Sequence, residues 1–278
     1  MDPFLRRNFN RGMFGAFLRS LLPSSSLFSQ QGPAGGNTKI TAEQAIAELV
    51  IANRIVAHLG IVDSFGHVTL RNPENPERYF MSRSRAPSLV TKEDILEFEL
   101  DSTPIDLKGA RPYSERPIHG CIYQARPDVM SVCHNHSQEL LPLAITKTAL
   151  RPALHNASVI GREVPVWDIR DEFGDTTMLV TTNDIGKSLA RTLGKGRAVL
   201  MRGHGSVVAY PTLRGTVFIA RYLQVNAEVV IKAMSLQNPI TYLSPGEVDK
   251  AGELHDNPAT QERAWEEWAR ESGFPSQP

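Results

Sequence analysis

From residue 41 onward the chain switches between stripes of helical period and short runs of strand period. Ile46, Leu49, Val50, Val56 and Ala57 recur at helical spacing, with Asn53 the one polar break. Thr41-Ala-Glu-Gln44 supplies a capping box ahead of that stripe, and Gly60 a stop behind it. Residues 67–71 and 79–82 read as short strands around an Asn- and Pro-containing turn. Thr91-Lys-Glu-Asp94 predicts a helix start, and 95–100 a third strand. Ser114 is placed to cap a helix over 115–125, with Pro117 in its first turn. Residues 130–136 predict a strand, followed by a helix over 138–146 that Ser137 caps and Pro142 kinks. Further strands are expected at 164–167, 178–181, 197–202 and 206–209. Helices are expected at 185–193, closed by Gly194, and from Pro211 through residue 236. This alternation predicts a single layered α/β domain over residues 39–245. Residues 246–278 predict a polar, helical tail carrying Trp265 and Trp268.

The first 38 residues follow a different pattern. Arg6, Arg7, Arg11 and Arg19 stand against one acid, Asp2, with Phe4, Phe9, Phe14 and Phe17 between them. Two readings stand for 1–38: an Arg-rich organellar transit peptide, or a disordered extension.

Composition narrows the class of protein. Lys plus Arg is 30 and Asp plus Glu is 30, so the formal net charge is zero. That balance excludes the basic excess of a nucleic-acid binder. No stretch approaches the ~18 apolar residues of a spanning helix. Cys121 and Cys133 are too few for a disulfide scaffold or a multi-cysteine zinc module. The expectation is an intracellular enzyme, cytoplasmic or mitochondrial, acting on a small molecule.

The histidines carry the candidate chemistry. In His134-Asn135-His136 on a strand, the two imidazoles share a face and Cys133 points the other way. Two such rings can close on one metal ion. His204, between Gly203 and Gly205, is a candidate third ligand, since glycines let a tight turn aim a side chain. Three neutral imidazoles leave a coordination position open, as a catalytic metal needs. Glu115 is an acid/base candidate or a plain helix-terminal carboxylate.

These segments, in their order and spacing, resemble the class II aldolase/adducin family. The resemblance runs from about Thr41 to Leu236. It is carried by Gly66-His-Val-Thr-Leu-Arg71, Glu115-Arg-Pro-Ile-His119, Val132-Cys-His-Asn-His-Ser137 and Arg202-Gly-His-Gly205. It implies a central, mainly antiparallel sheet flanked by helices, and a homo-oligomer, commonly a tetramer with sites between subunits. It implies a divalent metal on His134, His136 and His204, with Glu115 as the acid/base. Zinc suits three imidazoles, while manganese, cobalt, iron and nickel also fit.

The departures from the family pattern are informative. Sugar-phosphate members place small residues where this chain has His67 and Ser82-Arg-Ser-Arg85. Arg83 and Arg85 suit a substrate carboxylate through bidentate pairing. His67 and His119 are further substrate-binding candidates, and His155 and Tyr222 candidates for support behind the ligands. The resemblance therefore implies a metal-dependent carbon–carbon lyase passing through an enolate held by the metal. The expected reaction is decarboxylation of a hydroxylated aromatic or oxo carboxylic acid, or retro-aldol cleavage. Two alternatives stand beside it: an iron-dependent oxygenase on the same scaffold, and a non-catalytic adducin-like interaction module.

Overall fold

The computed structural model describes residues 40–274. The readings of 1–38 and of 275–278 lie outside the described residues. Helix α1 (Ala42–His58) starts at its capping box: the Thr41 hydroxyl accepts from the Gln44 amide, and the Gln44 side chain accepts from the Thr41 amide. Asn53, the polar break in its stripe, is fully buried and satisfied. Its Nδ2 donates to the Leu49 carbonyl, and its Oδ1 accepts from the Val68 amide. The one polar residue of that face thus ties α1 to the next element. Gly60 follows with φ of +65°, a backbone state that favours glycine.

Among the described residues seven strands form one sheet: β1 (His67–Arg71), β2 (Arg78–Ser82), β3 (Ile95–Glu99), β4 (Ser131–Asn135), β5 (Val166–Trp167), β6 (Ala198–Met201) and β7 (Gly205–Tyr210). Their order is β3-β2-β1-β4-β7-β6-β5. All pairings are antiparallel except β5 with β6. Helices cover both faces. Val68, Leu70, Cys133, Leu200 and Val208 pack with α1, α6 (Leu213–Ser235) and α8 (Pro258–Glu271). Val132, Val199, Met201, Val207 and Ala209 pack with α2 (Pro117–Ala125) and α5 (Asn183–Leu193). The expected mainly antiparallel, helix-flanked α/β sheet is what the chain forms.

On β1 the second face is polar: His67, Thr69 and Arg71 are all buried. Each is satisfied internally, as burial of polar groups demands. Arg71 donates to the carbonyls of Pro76, Tyr123, Arg126 and Val129. Thr69 Oγ1 lies 2.8 Å from both His119 Nδ1 and Tyr123 Oη. This face turns a core strand into the base of a polar site.

Several expected boundaries shift. Residues 178–181 form no strand: Met178 has φ of +66°, and the Val180 amide donates to Glu115 instead of a ladder. Ser114 does not cap α2, which begins at Pro117, so Glu115 lies in the turn ahead of the helix. Ser137 gives its hydroxyl to Glu139; α3 (Leu141–Thr146) starts later and holds Pro142 in its first turn without a kink. Thr91 and Asp94 cap each other, but on a single 3-10 turn leading into β3. The long helix α6 begins at Leu213 rather than Pro211, with Thr212 as its cap. Beyond the short α4 (Arg170–Phe173), residues after 244 form α7 (Pro245–His255) and α8, and Trp265 and Trp268 of α8 are buried in the core. Among the described residues no helix is long and apolar enough to cross a membrane.

Candidate metal centre

Register brings the site together. His67 on β1 pairs with His134 on β4, which pairs with Val207 on β7. Paired residues share a face, so the His67 and His134 rings meet, with centroids 5.2 Å apart. His136 lies just past the end of β4. His204 comes from the β6–β7 turn, where Gly203 takes φ of +65°. A Cβ on Gly205 would stand 2.0 Å from the Asn135 carbonyl oxygen, so only glycine lets β7 run this close to β4. The turn is thereby held against the strand that carries the other two imidazoles.

Glu115, His134, His136 and His204 each bring a ligand atom to one point, all within 4.8 Å of one another. His134 Nε2 is 3.0 Å from His136 Nε2. Glu115 Oε2 lies 3.7 Å from His134 Nε2 and 3.5 Å from His204 Nε2. The other ring nitrogens set the tautomers. His134 Nδ1 is 3.1 Å from the Ser206 carbonyl, which only accepts, so Nδ1 carries the hydrogen. His136 Nδ1 is 3.0 and 3.1 Å from the two oxygens of Asp63. Both Nε2 atoms are then bare lone pairs facing each other beside a carboxylate.

That donor set is unfavourable alone and fits a divalent cation. Ligands around a tetrahedral zinc lie about 3.3–3.6 Å apart, given bonds of about 2.0–2.2 Å. The distances above bracket that range. The centre is buried on the His134 and Glu115 side and half-open at His136 and His204. Burial alone would raise the Glu115 carboxyl. Where His134 or His204 carries a proton toward it, the hydrogen bond and charge outweigh burial and hold Glu115 well below the usual carboxylate range. Its other oxygen, Oε1, accepts from the Val180 amide at 2.9 Å.

The remaining candidates fall in three places. His67 lines the cluster, and burial, then His119 and His134, push it well below the usual imidazole range. His119 sits behind it, fully buried, with Nε2 on His67 at 2.8 Å and Nδ1 on Thr69 at 2.8 Å. Both its nitrogens are engaged inside the protein, and it backs His67. Arg83 and Arg85 converge on buried Asp94, through Arg83 Nε at 2.6 Å and Arg85 Nη1 at 3.1 Å. The Tyr113 hydroxyl donates to the Arg85 carbonyl, and the Tyr113 ring stands 4.4 Å from that of His67. The arginine loop is thus linked to the cluster through Tyr113 and His67. His155 and Tyr222 are not brought to the cluster: His155 faces His255, and Tyr222 packs on Phe218. Cys133 is buried on the opposite face, where burial pushes its thiol up to about 12.

Sequence reading missed Asp63, Asp94 and Tyr113. Asp94 had a visible signal, its capping pair with Thr91. Asp63 and Tyr113 had none, because their partners are 73 and 28 residues away.

A seven-stranded sheet covered by helices, with three imidazoles and a carboxylate at one strand end, defines an α/β protein with a candidate catalytic metal site. The chain belongs to the class II aldolase and adducin family: the profile of the Class II Aldolase and Adducin N-terminal domain matches residues 47–231. It is 31% identical over 234 residues to Decarboxylase tropJ of Talaromyces stipitatus, covering 76% of this chain and 87% of that one. It is 26% identical to 3,4-dihydroxyphthalate decarboxylase of Arthrobacter keyseri, covering 82% and 92% of the two chains. The fold matches that of L-fuculose 1-phosphate aldolase from Glaciozyma antarctica with a TM-score of 0.68 at 20% identity, covering 83% of this chain and 89% of that one.

Proposed function

We propose that this protein is a divalent-metal-dependent carbon–carbon lyase, and that its reaction is decarboxylation of a hydroxylated aromatic or oxo carboxylic acid. The observation that carries the reading is the convergence of Glu115 Oε2 with the Nε2 atoms of His134, His136 and His204. Relatives named as decarboxylases, one of them acting on a dihydroxyphthalate, favour loss of CO2 over release of an aldehyde.

His134, His136 and His204 hold the ion in this reading, with zinc the best match to three imidazoles. When bound, the ion supplies Lewis-acid stabilisation of the negative charge left by carbon–carbon cleavage. The carbon–carboxylate bond breaks, its electron pair stays on the substrate carbon, and CO2 leaves. Glu115, held ionised, takes the proton of a substrate hydroxyl and returns it to that carbon. Arg83 and Arg85 orient a substrate carboxylate with the guanidinium hydrogens that Asp94 leaves free. His67, backed by His119, forms a wall of the site. A homo-oligomer completes the proposal.

The test is metal content per chain of anaerobically purified protein, with His136→Ala alongside. About one zinc, manganese or cobalt per chain, lost in the variant, is the expected result. Hydroxylated aromatic acids are then screened for CO2 release. Stoichiometric iron with dioxygen-dependent turnover would favour the oxygenase alternative. No metal, even after reconstitution, would sink the catalytic reading and leave the interaction module.

A further inference from the structure

We infer that Asp63 is a positioning residue for the metal centre, fixing His136 in the one tautomer and ring orientation that can bind an ion. The inference rests on the metal-dependent reading above and extends it to a residue outside the ligand cluster. Asp63 lies on the turn between α1 and β1, and both of its oxygens face His136 Nδ1, at 3.0 and 3.1 Å. A carboxylate only accepts, so Nδ1 carries the hydrogen and Nε2 keeps its lone pair toward His134 and the cluster.

The carboxylate is itself held in place. Its Oδ1 accepts from the Phe65 amide at 2.8 Å and the Gly66 amide at 3.1 Å. Gly66 itself packs closely, since a Cβ there would stand 2.7 Å from the Val62 side chain and 3.0 Å from the His134 carbonyl oxygen. The turn is thus wedged against the strand carrying His134 while its aspartate orients His136.

The three imidazoles are supported unequally. His134 donates to a backbone carbonyl. Among the described residues His204 Nδ1 is buried with no hydrogen-bond partner, and only His136 has a carboxylate behind it. A carboxylate on the far nitrogen raises the basicity of the ligating nitrogen as well as orienting the ring, and losing such a partner typically costs about 10–100-fold in metal affinity. His136 is also the most exposed of the three rings, so packing does least to orient it.

The substitution Asp63→Asn separates this role from simple support of the turn. The amide oxygen can still accept from Phe65 and Gly66, but an NH2 group replaces Oδ2 and competes for a lone pair on His136 Nδ1. That favours the tautomer with hydrogen on Nε2, where the ion would bind. The experiment uses the full chain and Zn2+ alone. The zinc dissociation constant comes from chelator competition, and the His136 tautomer in metal-free protein from imidazole 15N shifts. Thermal unfolding of the metal-free proteins is the control.

Wild type should show the Nδ1–H tautomer. Asp63→Asn should shift it and weaken zinc about tenfold, with metal-free unfolding close to wild type; Asp63→Ala should weaken zinc by about 10–100-fold. Wild-type zinc affinity and an unshifted tautomer in Asp63→Asn would overturn this inference alone. A wild type that takes up no Zn2+ would overturn the metal reading and this inference with it.

Discussion

Glu115 stands in the turn before α2 with one oxygen on the Val180 amide and the other facing the imidazoles. The amide fixes the carboxylate from outside the histidine cluster, so Glu115 does not depend on a ligand for its position. Glu115→Gln preserves an acceptor for that amide and removes the charge. Turnover should fall by ~10²–10⁴-fold, the usual weight of a positioned acid/base group. Metal content should stay near that of wild type. Steady-state turnover with metal analysis of the same sample checks this, and retained turnover would remove Glu115 from the reaction. The ligand candidates were legible in the sequence because strand alternation puts His134 and His136 on one face, and because two glycines flag His204. Their partners were not. Asp63 reaches His136 across 73 residues, and no local pattern announces such a contact.

The segment from β2 through the 3-10 turn at Lys92–Asp94 to β3 is organised by one carboxylate. Asp94 accepts from the Thr91 amide and hydroxyl and from both arginines. Burial alone would raise its carboxyl, but the hydrogen bonds from Arg83, Thr91 and Arg85 bring it down to about 2 from 3.8. The sign follows from linkage. A depressed folded-state value gives stability that is present above pH 3.8 and is lost as pH falls toward 2. Wild type should therefore exceed Asp94→Asn in stability near neutral pH, by roughly 1–2 kcal/mol after allowance for the partly exposed arginines. The gap should close between about pH 4 and pH 2. Urea unfolding across that range measures it, and a gap that persists at pH 2 would mean that the charge is not its source. The elements themselves were largely readable, since a helix such as α1 announces its period and its cap. Residues 178–181 were not: the short apolar run looks like a strand, yet its Val180 amide serves a side chain.

The two faces of the sheet divide the molecule by task. The face toward α2 and α5 carries His67, Thr69, Arg71 and the approach to the candidate metal centre. The face toward α1, α6 and α8 is mainly apolar and holds the C-terminal helix. The composition after residue 245 reads as polar because α8 exposes most of its surface, yet Trp265 and Trp268, three residues apart, fall on one side of the helix. Trp265 is buried and lies under the Arg214 guanidinium, 5.4 Å from its ring centre, while Trp268 packs toward Phe218. This helix closes the core from the side away from the chemistry. Trp265→Ala should lower unfolding stability by about 3–5 kcal/mol, the usual cost of removing a buried large aromatic. Because the sheet stands between that cavity and His134, the zinc dissociation constant of the folded variant should stay within about twofold of wild type, a shift under ~0.5 kcal/mol. Denaturant unfolding and zinc titration on one preparation test both halves. A matching loss of zinc affinity in protein that is still folded would show that the two faces are mechanically coupled, and that the C-terminal helix shapes the site it does not touch.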